Sequence, residues 1–180
     1  MKLIQAGATP EDLATIVQLR REATAWLQTR GEDQWSNDWP DTATMLAGFE
    51  RDLVEGSTWF ALEDNGLLLA AITINRRTHH GLWTPEEEST ALFVHRLTLA
   101  RAAAGRGVGA QLLDFAGQQA EQAGLAWLRL DAWTTNERLH DYYRNQGFRL
   151  VRIVADHYTP SAACFEREAS HRAYVPRTPE

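Results

Sequence analysis

The residues with the clearest chemical use form one run, Ala104-Gly105-Arg106-Gly107-Val108-Gly109-Ala110, in which three glycines alternate with other residues. A strand pattern precedes it and a helix pattern follows. Glycine lets the chain turn tightly and carry bare N–H groups into the first turn of a helix, where donors are unsatisfied and the dipole is positive. Such a turn holds phosphate, although a connector that only packs a helix closely would share the composition. A nucleotide P-loop also needs Lys and then Ser or Thr after its last glycine, and Gly109 is followed by Ala110 and Gln111. A dinucleotide fingerprint comes nearer, since Gly105, Gly107 and Ala110 fit G-x-G-x-x-A and Asp131 ends the next strand pattern. Against it, Ala100 to Ala104 separate the first glycine from the strand, and a hairpin precedes rather than a parallel unit.

His95 is the titratable side chain best suited to proton transfer near neutral pH. Strand alternation predicts that it shares a face with Leu97 and Leu99. The six histidines show no ligand spacing with Cys164 or nearby carboxylates, so no metal site is expected. Cys164 is the only cysteine, which excludes an intrachain disulfide and suits a reducing compartment.

These residues need elements to position them. Residues 2–6 read as a strand, and Thr9-Pro10-Glu11-Asp12 supplies an N-cap, proline at the first helical position and acids in the first turn, predicting a helix to about Leu27. Residues 31–41 read as a loop. Thr42 is the expected N-cap of a second helix, with Met45, Leu46, Phe49 and Leu53 on one face and Gly56 as its stop. Thr58 to Glu63 and Leu67 to Ile74 flank Asn65-Gly66, a hairpin signal. The polar stretch 77–90 reads as a mobile loop, with Glu86 to Glu88 as a surface charge run. A strand from Ala91 to Leu99, a helix from Val108 to Gly124, a strand from Leu125 to Ala132, a short helix capped by Asn136, and strands 148–154 and 162–167 complete the order. The expected architecture is one α/β domain over residues 1–169, antiparallel strands followed by a strand–helix–strand crossover, with a flexible tail over 170–180.

Leu97-Thr98-Leu99, the following Ala100 to Gly109, and Asn136 with Tyr142-Tyr143-Arg144-Asn145-Gln146-Gly147-Phe148 together resemble the two acyl-CoA motifs of the GNAT N-acetyltransferase superfamily. The resemblance covers about residues 91–150 and departs at Ala104, where the family carries Arg or Gln. It implies a three-layer sandwich and acetyl-CoA as cosubstrate. The amides from Arg106 through Gly107, Val108 and Gly109 to Ala110, with Ala104 and Gly105 in the turn, would hold the pyrophosphate. The backbone of Leu97, Thr98 and Leu99 would pair with the pantetheine arm, the Leu99 amide would meet the oxyanion, and Asn136 would belong to the cofactor side. Tyr143 matches the tyrosine that protonates the leaving thiolate, and His95 matches a base found in some members. The acceptor would lie against the first two helices and their loop, where Trp26, Glu32, Asp33, Trp35, Asp38 and Trp39 stand; Asp156 and His157 are further candidates. Aromatic faces beside carboxylates suit a cationic or aromatic amine.

Composition bounds the rest. The chain has 180 residues, 44% of them hydrophobic, enough for one core, and its 24 acidic against 18 basic residues argue against a broad nucleic-acid-binding face. No apolar run approaches a membrane span and the N-terminus is not a signal peptide, so a cytoplasmic protein acting on a small-molecule amine is expected, with edge strands that could pair into a homodimer. The alternatives are an acyl-CoA sensor without turnover and a peptide N-terminal acetyltransferase.

Overall fold

The computed structural model describes residues 1–35 and 40–175; Asp38 and Trp39 lie outside them. Seven strands form one sheet: β1 (Lys2–Gln5), β2 (Thr58–Leu62), β3 (Leu68–Asn75), β4 (Ala91–Leu99), β5 (Trp127–Ala132), β6 (Arg149–Ile153) and β7 (Ala163–Glu168), in the order β1-β2-β3-β4-β5-β7-β6. Every neighbouring pair is antiparallel except β4 with β5, the pair joined through a helix, as a parallel pair must be joined by a crossover. The β2–β3 turn forms as the Asn-Gly signal predicts, with Gly66 at φ 87° and the Leu67 amide donating to Asn65 Oδ1 at 2.9 Å.

Among the described residues, five α-helices cover the sheet: α1 (Pro10–Thr29), α2 (Thr42–Val54), α3 (Pro85–Ser89), α4 (Val108–Gln122) and α5 (Glu137–Asn145). Ile16, Leu19, Phe49 and Leu53 of α1 and α2 pack on Phe60 and Ala71 on one face. Leu112, Leu113 and Ala116 of α4 pack on Ile72, Val94, Leu130 and Phe165 on the other. Burial of these large apolar side chains stabilises each by roughly 1.5–3 kcal/mol and fixes the three layers. No helix among the described residues is long and apolar enough to cross a membrane.

Four expectations are corrected. The stretch 77–90 is not a bare loop: Leu82 and Trp83 are buried, and α3 is closed by a capping box between Thr84 and Glu87. Its glutamates occupy a helix's first turn, where negative charge is stabilised, and Glu87 also pairs with Arg152. The cap of α2 is Asp41, one residue before Thr42, because its carboxylate reaches the Thr44 amide at 3.0 Å. Residues 172–174 are pinned on α4: Asp114 accepts from the Ala173 and Tyr174 amides, and Arg172 pairs with Glu121.

The fourth concerns β4. Ala71 pairs with Thr98 and Thr73 with His95, so β4 carries one residue more than β3 over this interval, and Arg96 takes φ 50°. A bulge of this kind reverses the alternation beyond it. Leu97 and Leu99 therefore pack toward α4, while His95 stacks on Phe93 in the cluster around Trp83, on the opposite face.

Candidate active site

Among the described residues, α1, α2, α3 and α5 each begin with a side-chain cap, from Thr9, Asp41, Thr84 and Asn136, and α4 alone begins without one. Its N-cap is Gly107 at φ 73°, following Gly105 at φ 72°, a left-handed geometry that glycine adopts without strain. The first-turn amides are left for an external acceptor. The Arg106 side chain pairs with Glu63 at 2.6 Å, and its amide donates to the Ala103 carbonyl at 3.3 Å. Ala104 stands at the end of the short 3-10 turn that follows β4. The Tyr174 ring lies 3.1 Å from where a β-carbon on Gly107 would stand, so the C-terminal segment borders the same turn.

The parallel pairing of β4 with β5 runs from Ala91–Trp127 to Val94–Leu130 and stops. Beyond it the strands part. Residues 95–99 of β4 still pair with β3 on one side and leave their other edge open, a row of backbone donors and acceptors suited to an extended amide-bearing arm. Leu97, Thr98 and Leu99 line one wall of a cavity of about 330 Å³, with Ala104, Asn136, Tyr142 and Tyr143 beside them and Trp26, Glu32, Gln34 and Trp35 opposite.

Tyr143 is buried between Tyr142 and Phe148, with ring centroids at 5.5 and 5.7 Å, and burial holds its phenol well above the usual range. Tyr142 was not singled out for a role by its sequence position. Its hydroxyl is buried without a partner, its pKa is pushed up to about 12 by burial, and it stands over Gly109 in the first turn of α4. An unsatisfied buried hydroxyl pointing into a cradle that only glycine keeps open fits a site built for a polar ligand such as the acyl-CoA arm. Asn136 is buried and caps α5 through the Leu139 amide at 3.0 Å, while its Nδ2 donates to Gln34 Oε1 at 2.7 Å, tying α5 to the segment after α1.

His95 and Asp131 are the first residues past the last paired couple of β4 and β5, so they flank the point of divergence. His95 Nε2 donates to the Arg77 carbonyl at 2.9 Å, leaving Nδ1 as the acceptor, and burial lowers its pKa to about 4. It is not among the residues lining the cavity. Asp131 has a buried Oδ1 with no partner, and burial raises its carboxyl to about 7; like His95, it does not line the cavity. From the sequence, Asp131 stands out only as a candidate ribose-binding acid.

On the acceptor side, Trp26 and Trp35 do line the cavity, but their rings carry the protein's own guanidiniums: Arg101 lies 4.1 Å and Arg30 5.9 Å from the Trp26 centroid, and Arg20 3.6 Å from that of Trp35. Glu32 faces Arg138 at 3.7 Å. Asp33 accepts from Trp133 Nε1 at 3.0 Å and Thr135 Oγ1 at 2.6 Å, a tie between the α1 segment and the β5–α5 turn. Asp156 sits exposed at φ 55° in the turn after β6, and His157 Nε2 donates to the His80 carbonyl at 2.8 Å; neither lines the cavity.

A sheet that opens between two parallel strands, beside a glycine turn and an uncapped helix, is the architecture of an acyl-CoA-dependent transferase. The Acetyltransferase (GNAT) family model matches residues 20–148, and the chain belongs to that family. It is an acetyl-CoA-dependent N-acetyltransferase. It is 27% identical over 158 residues to YesJ of Bacillus subtilis (strain 168), an uncharacterized N-acetyltransferase, with 84% of each chain covered. Its fold matches a GNAT-family acetyltransferase from Listeria monocytogenes 4b F2365 with a TM-score of 0.69, 21% identity and 93% and 94% of the two chains covered. It also matches the PaiA N-acetyltransferase from Thermoplasma acidophilum, solved in complex with coenzyme A, with a TM-score of 0.70, 17% identity and 93% and 98% coverage.

Proposed function

We propose that the protein transfers the acetyl group of acetyl-CoA to the primary amine of a small molecule by direct attack of the neutral amine on the thioester. The observation that carries this reading is the cavity shared by the open edge of β4 and the buried phenol of Tyr143. At about 330 Å³ its size suits a small acceptor. Acetyl-CoA supplies the thioester. The first-turn amides of α4 receive its pyrophosphate, the edge at 97–99 orients its arm, and the Leu99 amide stabilises the oxyanion without reorganisation. Tyr143 protonates the departing thiolate; burial holds its phenol above the usual range, so it stays protonated but is a weaker donor than a free phenol, and its role rests on its place in the cavity wall.

For the opposite proton transfer His95 and Asp131 compete. His95 is neutral at pH 7 and has a free Nδ1, but at about 4 it is a weak base. Asp131, at about 7 with an unpartnered oxygen, is favoured by its match to the operating pH. The test of the function is thiol release from acetyl-CoA across aromatic, aliphatic and polycationic amines. Turnover with a free amine is expected; coenzyme A binding by calorimetry with no turnover on any amine would replace the enzyme reading by a sensor, and better specificity constants on peptides would replace the small acceptor.

A further inference from the structure

We infer that the acceptor amine carries a second, anionic group, a carboxylate or its equivalent, and that Arg30 and Arg101 read it at the cavity mouth; this rests on the amine-acetylation reading above. The chain as a whole has a net charge of −6, yet among the described residues the cavity is lined by Arg30, Arg101 and Arg138 against one carboxylate, Glu32. Glu32 and Arg138 face each other at 3.7 Å and neutralise one another. Arg30 and Arg101 have no carboxylate partner among the described residues, and both are held on the ring of Trp26.

This stacking decides which ligand charge the wall accepts. A cationic acceptor would need an open aromatic face or a free carboxylate. The Trp26 face is taken by guanidiniums, that of Trp35 by Arg20, and Glu32 is engaged. Behind the wall, Arg20 is largely withdrawn from water, also without a carboxylate partner among the described residues, and burial and the nearby Arg96 lower its pKa to about 9. A stacked guanidinium keeps its in-plane N–H fork free, the geometry that takes a carboxylate bidentately. Anchoring one end of the acceptor there orients its amine toward the thioester end of the β4 edge, which raises the effective concentration of the nucleophile.

The other anion that could meet these arginines is acetyl-CoA itself, and the experiment separates the two. Thiol release is measured on several amine scaffolds, each as the free carboxylate, the carboxamide and the bare amine: phenylalanine, phenylalaninamide and phenethylamine, and the aliphatic counterparts built on leucine. The carboxylate should exceed its carboxamide about tenfold or more in kcat/KM, and Arg30→Gln and Arg101→Gln should each cut that preference to about threefold or less while the KM for acetyl-CoA moves less than about twofold. Equal or better turnover of carboxamides, bare amines or polyamines overturns the inference and leaves amine acetylation standing. A rise confined to the KM for acetyl-CoA in the arginine variants overturns it too, by assigning them to the cofactor. Coenzyme A binding without turnover of any amine removes the underlying reading and the inference with it.

Discussion

The phenol of Tyr142 stands over the α-carbon of Gly109 so closely that a side chain of any size at 109 would displace it. A β-carbon there would run into the Tyr142 hydroxyl and come within 3.3 Å of its Cζ and 3.7 Å of Leu99 Cδ1. Gly109→Ala should therefore cost about 1–3 kcal/mol in stability and, with the turn proposed to hold the phosphates, weaken acetyl-CoA binding. Tyr142→Phe removes a buried hydroxyl that has no partner and should leave the thermal midpoint unchanged or higher. The double variant should recover most of the Gly109→Ala loss; simple additivity of the two effects in thermal melts would refute the contact as its cause.

Tyr143→Phe should lower kcat by about a hundredfold or more with little change in either KM, since a general acid contributes on that scale and its ring packing against Phe148 is retained. Steady-state kinetics check this. A kcat within twofold of the wild type would remove the acid role.

His95 and Asp131 impose opposite pH slopes on stability. The carboxyl of Asp131, raised from 3.8 to about 7, keeps its proton in the folded state where the unfolded chain has lost it, so its contribution falls as pH rises between about 4 and 7. His95, lowered from 6.5 to about 4, is neutral when folded where the unfolded chain binds a proton, so its contribution rises between about 4 and 6.5. Asp131→Asn should leave the rising slope exposed and His95→Gln the falling one, in denaturant titrations taken at a series of pH values. The same variants decide the base: kcat/KM should rise with an inflection near 7 that Asp131→Asn abolishes and His95→Gln retains. Retention of the inflection in Asp131→Asn would return the role to another group.

How much of this could be read from the chain depends on the distance over which each feature is encoded. The glycine turn before α4 was legible because three glycines between a strand and a helix state their geometry locally, and the hairpin at Asn65-Gly66 for the same reason. The helix α3 was equally local, since Thr84 and Glu87 spell a capping box, but three adjacent glutamates suggested a solvated loop. The face of His95 was not legible: it depends on the left-handed Arg96, which no pattern of apolar residues announces. Asp131 gains its candidate role only once β4 and β5 are known to part after Leu130. The partners of the acceptor wall were not legible, because Trp26 meets Arg101 and Asp33 meets Trp133 across long stretches of chain.

The segment 170–175 carries the last prediction. Asp114, largely buried on α4, accepts from the Ala173 and Tyr174 amides and from Arg167 at 3.0 Å, and the chain so held sets the Tyr174 ring against Gly107. A chain ending at His171 loses both amide donors, which at about 1 kcal/mol each should lower the thermal midpoint by several degrees. Tyr174→Ala keeps those amides and removes only the ring, so it should leave the melting curve nearly unmoved and raise the Kd for coenzyme A about threefold or more, if the ring walls the phosphate turn. Calorimetry with coenzyme A on the two variants separates anchoring from ligand contact. Tighter binding in Tyr174→Ala would mean instead that the ring covers the turn and must leave it before the cofactor enters.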